Sequence, residues 1–146
     1  MRSLRARHPA VLALLAGGAV AALVPASAAV AFQSPPTGST TVEVQSPAAL
    51  VARGAGVAVT VTYRCPAGQD ASLSVFLTQR SGSETISASG GREVECTGEE
   101  EETTVVATAD GRVFKKGTAV GRADLFTCGF SFCGTMTDSR EVTITR

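Results

Sequence analysis

The sequence has no tryptophan, a single tyrosine and a single histidine in 146 residues. That histidine, His8, falls in the segment read below as a leader, so no imidazole remains beyond residue 31. Its absence excludes Ser-His-Asp and Cys-His catalysis there, and zinc centres built on imidazole. Long apolar runs are also missing after Val24, and none later approaches the roughly 20 residues that a membrane-spanning helix needs. An excess of base is missing as well. Lys and Arg number 13 against 13 Asp and Glu, and the leader holds Arg2, Arg5 and Arg7 with no acid, so the remainder is acidic by three charges. Such a chain offers no electrostatic footprint for nucleic acid.

What is present begins with three segments in a telling order. Met1 to His8 is basic, Ala10 to Val24 is an uncharged apolar run of 15 residues, and Pro25 is followed by small residues through Ala31. This order predicts a secretory signal peptide over residues 1–31, cleaved after Ala28 or Ala31 where small residues stand at both required positions. An uncleaved N-terminal anchor is the alternative. The product is expected to be secreted, extracellular and without membrane association after cleavage. Cys65, Cys96, Cys128 and Cys133 all lie beyond the leader. An even count in an oxidising compartment points to two disulfides. A four-thiolate zinc site would need closely spaced pairs, whereas Cys65 and Cys96 have 30 residues between them.

Residues 32–39 (FQSPPTGS) read as a flexible spacer. From residue 40 to 146, short runs with a two-residue period recur. The clearest spans Val57 to Cys65, where Val57, Val59, Val61, Tyr63 and Cys65 share one parity and Ala58, Thr60, Thr62 and Arg64 the other. Further strands are expected over 40–46, 71–80, 84–89, 92–97, 103–109, 118–128 and 140–146. Turn residues separate them at Pro66-Ala67-Gly68, Ser81-Gly82-Ser83, Gly90-Gly91, Asp110-Gly111 and Lys116-Gly117. Ala48 to Arg53 has room for one helical turn at most. The pattern predicts an all-β domain: an immunoglobulin-like antiparallel β-sandwich of about seven or eight strands.

Three stretches carry a resemblance. Val59 to Pro66 (Val-x-Val-x-Tyr-x-Cys-Pro), the strand entered by Gly117 to Ala119, and the closing Arg140 to Ile144 resemble small secreted immunoglobulin-like proteins of actinomycete-type bacteria, over residues 40 to 146. More weakly, the size and the tight C-x4-C loop from Cys128 to Cys133 are similar to the neocarzinostatin-type apoproteins. The second resemblance implies a small-molecule carrier with an apolar cleft.

Strand parity chooses among the three possible cysteine pairings. Cys65 is in phase with the apolar face of its strand and Cys96 with Val94, whereas Cys128 is in phase with Arg122 and Asp124. Cys128 therefore points away from the core, and the expected bonds are Cys65–Cys96 and Cys128–Cys133.

The latter bond closes a four-residue loop, Gly129-Phe130-Ser131-Phe132, with two aromatic rings. Exposed aromatics on a rigid loop suit contact with a partner. Both rings instead capping a core left thin by Ala119, Gly121 and Ala123 is the competing explanation. Alternation predicts a split, with Phe130 exposed and Phe132 buried beside Cys133. The acidic run Glu99 to Glu102 reads as a solvated hairpin rather than a calcium loop, because neighbouring side chains on a strand face opposite ways. Lys115 and Lys116 read as surface charge. Asp124 lacks an identifiable catalytic partner, and no serine or threonine carries a nucleophile signature.

The sequence thus predicts a non-catalytic, monomeric module without cofactor or metal. It would bind a protein or cell-envelope partner through the tip, or serve structurally. The alternatives are a carrier of the neocarzinostatin type and an unrecognised secreted hydrolase or inhibitor.

Overall fold

The computed structural model describes residues 38–146; the leader and most of the spacer lie outside the described residues. Eight strands follow in order: β1 (Thr41–Val44), β2 (Ala48–Val51), β3 (Gly56–Arg64), β4 (Asp70–Ser81), β5 (Glu84–Glu95), β6 (Glu100–Ala109), β7 (Gly117–Cys128) and β8 (Cys133–Thr145). A short 3-10 turn, Ala52–Gly54, joins β2 to β3.

β3 is the organising strand, because its alternation is complete. Val57, Val59, Val61 and Tyr63 are buried, and the residues between them are half-exposed. β6 pairs with β3 along its whole length, from Gly56 opposite Thr108 to Arg64 opposite Glu100. On the other side β3 is shared: β1 takes its C-terminal half, with Thr41 opposite Arg64, and β2 its N-terminal half, with Ala49 opposite Ala58. The remaining strands form a run of antiparallel neighbours, β5-β4-β7-β8.

Two short seams join these groups. β2 meets β8 in parallel through Ala48–Ile144 and Ala49–Thr145, and β5 meets β6 through Ala88–Ala109 and Ser89–Thr108. The ladder therefore closes into a seven-stranded barrel, with β1 as an eighth strand beside β3. Leu73, Val75, Leu77, Leu125, Val142 and Ile144 fill the interior with the β3 valines.

Several expected boundaries change. Of the stretch Ala48 to Arg53, with room for one helical turn at most, Ala48 to Val51 form β2 while Ala52 and Arg53 enter the 3-10 turn. The expected strands over 84–89 and 92–97 are one, and Gly90-Gly91 lies inside β5 rather than between strands. At Gly90 β5 crosses close over β6: an added Cβ would strike the Val106 carbonyl and stand 3.0 Å from the Ala107 Cα. Glycine there permits close approach, not a turn. Of Val105 and Val106 only the first is buried. β8 starts at Cys133 and is nearly twice its expected length.

The first half of β8 has no strand beyond it. Its inward-parity positions there are Met136, Asp138 and Arg140, and side chains replace the missing ladder. Asp138 accepts a 2.9 Å hydrogen bond from the Val44 N–H and a 2.8 Å ion-paired bond from Arg140, whose other nitrogen reaches Glu43 at 2.6 Å. Inward-pointing charges also protect an unpaired edge from joining another chain's sheet.

Candidate binding tip

Both disulfides lie at one end of the barrel. Cys65 and Cys96 are bonded with Cα atoms 5.1 Å apart, and both are buried. Gly68 N–H donates to the Cys96 carbonyl and Gly98 N–H to the Cys65 carbonyl, each at 3.1 Å, so backbone bonds lock the loops around that bridge. Cys128 and Cys133 face each other across the β7–β8 hairpin and are bonded, with Cα atoms 4.1 Å apart. The pairing is the one expected from parity, and Cys128 does sit on the outward face with Arg122 and Asp124. Within the loop Gly129 N–H donates to the Phe132 carbonyl at 2.9 Å, which closes the turn.

The expected split between the two rings does not occur. Phe130 is fully exposed and Phe132 is 79% exposed. The Phe132 ring lies alongside Gly134, 2.9 Å from where a Cβ would be, on the side of β8 shared with Met136, where no further strand covers it. Nor does the core need either ring. Cys65, Cys96, Leu125 and Thr127 already occupy interior positions at this end. The room left by Gly121 is taken by Val44 and Val142, whose methyls lie 3.2 and 3.3 Å from its missing Cβ.

Two further exposed apolar residues, on opposite faces of the β7–β8 hairpin, lie near the tip outside the expected site residues. Phe126, opposite Ser72 and Thr135, is 43% exposed, and Met136 is 45% exposed. Phe126 was detectable, since it shares the outward parity of Asp124. Met136 was not, because its exposure depends on the strand missing beyond β8. Beside Phe126 an open depression of about 740 Å³ is walled by Asp70, Ser72, Glu93 and Glu95. Asp70 and Glu95 stand directly opposite in register, a like-charge pair that costs stability.

The carboxyls of Asp124 and Asp138 are engaged rather than poised. Burial alone would raise the Asp124 carboxyl, but a 2.6 Å hydrogen bond from the Thr137 hydroxyl and a 2.9 Å bond from Arg122 Nε outweigh it and hold Asp124 below the usual value. Asp138 behaves likewise: burial is overcome by Arg140 and by backbone N–H groups. The Tyr63 hydroxyl is pushed up, first by burial and then by Glu101. Glu100 to Glu102 open β6, whose side chains alternate between faces. Among the described residues no three His, Cys, Asp or Glu side chains are grouped to hold a metal ion. Lys115 and Lys116 are exposed at the opposite end.

No family model and no curated protein matches the chain. Among solved structures it is similar to AggA, the major subunit of aggregative adherence fimbriae type I from Escherichia coli, at 8% identity and a TM-score of 0.37, over 73% of this chain and 93% of that one. At that level the likeness carries no inference about function.

Proposed function

We propose that the protein is a secreted, non-catalytic contact module whose Cys128–Cys133 tip meets a protein or cell-envelope component. The observation that carries this reading is the full exposure of Phe130, with Phe132 beside it, on a disulfide-closed hairpin. Two rings held in water by a short cross-linked loop serve neither the core nor solubility, whereas rigid aromatics lose little freedom on binding. Two disulfides support an extracellular location.

In this reading the barrel is a variant of the immunoglobulin-like sandwich. Its sheets would be β1/β2-β3-β6 and β5-β4-β7-β8, and the two-pair seams would be contacts at their margins. A carrier would want an apolar cavity beside Phe130 or Phe132, but the depression near the tip is open, lies beside Phe126, and mixes Asp70, Glu93 and Glu95 with its apolar lining. A hydrolase would want Asp124 joined to a second reactive group, and its partners are Arg122 and Thr137, both bonded to Oδ1.

The test is capture. Secreted protein immobilised and exposed to culture medium and envelope extracts should retain a partner, and the Phe130→Ala, Phe132→Ala double variant should lose it with its melting midpoint intact. Equal capture by both proteins would contradict the tip's role.

A further inference from the structure

We propose that the protein associates with itself head to tail, the Cys128–Cys133 end of one copy seating on the opposite end of a second copy. The two ends carry opposite charge. Strand register places Asp70, Glu93, Glu95 and the run Glu99 to Glu102 at the tip end, against only Arg64 and Arg92. None of these carboxylates is in an ion pair among the described residues; the paired carboxylates are Glu43, Glu84, Asp124 and Asp138. The far end carries Arg53, Arg80, Arg112, Lys115, Lys116 and Arg146 against Glu84 and Asp110, and of these cations only Arg112 is ion-paired, with Glu84. The tip end is thus negative by five charges and the far end positive by four, in a domain whose remaining charges sum to minus two.

Apolar surface accompanies the charge at both ends. The tip presents Phe130 and Phe132. The far end presents Val113 and Val120, each about half exposed, and a depression of about 500 Å³ between Thr78, Arg80, Thr85, Thr118, Ala119 and Val120. An aromatic ring set on an acidic rim therefore has, on a second copy, an open hollow of threonine methyls and Val120 edged by Arg80. The facing carboxylates of Asp70 and Glu95 would gain the cations that their own end lacks. Because the two surfaces differ, the contact is heterologous: each copy keeps one end free, and association extends rather than closing at a dimer unless the rotation forms a ring. Charges this exposed are screened over roughly 8 Å at physiological salt, so the contact is weak and salt dissolves it.

This inference rests on the tip being a contact surface, and the two ideas fail separately. Sedimentation velocity of the secreted protein should show an average mass that rises with concentration at low salt, with association weakened about tenfold or more on moving to roughly 0.5 M salt. Lys115→Glu with Lys116→Glu should abolish it by removing the far end's net positive charge of four. Glu93→Lys with Glu95→Lys should abolish it by cutting the tip end's net negative charge from five to one. An equimolar mixture of these two variants should associate again, which also shows that both fold. A monomer at every concentration at low salt would overturn self-association, as would association indifferent to salt or a mixture without rescue. Capture of another partner through Phe130 and Phe132 by such a monomer would preserve the contact module alone.

Discussion

Gln79 is one of two buried polar residues in the barrel, and its position is explained by the segment that it holds. Its Nε2 donates to the Lys115 carbonyl at 2.8 Å and its Oε1 accepts from the Lys115 N–H at 2.9 Å, pinning the 110–116 loop over the far end. Gln79→Leu would leave both backbone groups unpaired, and denaturant unfolding should show a loss of about 1–3 kcal/mol. Asp124 and Asp138 predict a pH response of definite sign. Both carboxyls sit below their usual value of 3.8 in the folded protein. Their stabilisation is therefore present above the unfolded value and is lost as pH falls through the folded one. Denaturation midpoints should hold near neutrality and decline below about pH 4. Asp138→Asn should flatten that decline, and an unchanged slope would show that the Val44 and Arg140 contacts contribute nothing.

Whole elements were legible where burial on one face and exposure on the other imposed a two-residue period. β3 is the clearest, and the same parity separated the inward Cys65 and Cys96 from the outward Cys128. The first half of β8 was not legible, because its inward positions carry Met136, Asp138 and Arg140: nothing packs beyond that edge, so no apolar alternation was selected there. Gly90-Gly91 misled for a related reason, since close crossing of β5 over β6 and a turn both call for glycine. In the candidate site, the pairing of the tip cysteines could be read, but the exposure of Phe132 could not, because its ring falls beside the half of β8 that no further strand covers. The disulfides differ as constraints. Cys65–Cys96 spans 31 residues and Cys128–Cys133 only five. Replacing the first pair by serine should cost about 2–5 kcal/mol, and the second distinctly less, because a shorter loop restricts the unfolded chain less. Calorimetry of the two double variants orders them, and a larger loss at the tip would contradict the loop-length argument.

At the scale of the molecule, closure of the ladder through two short seams leaves the hairpin tip as the place where apolar side chains reach furthest into water. The outer face of β4 and β7 offers a comparison within the same protein. Phe76 is also exposed there, at 44%, but on a flat strand opposite Arg122 rather than on a cross-linked turn. Substituting photo-reactive benzoylphenylalanine for Phe130 in one secreted protein, and for Phe76 in another, tests the central claim most directly. Irradiated in culture, the protein labelled at position 130 should yield a discrete cross-linked product and the protein labelled at position 76 should not. Products of equal yield from both positions, or a product from position 76 alone, would contradict the assignment of the tip as the contact surface.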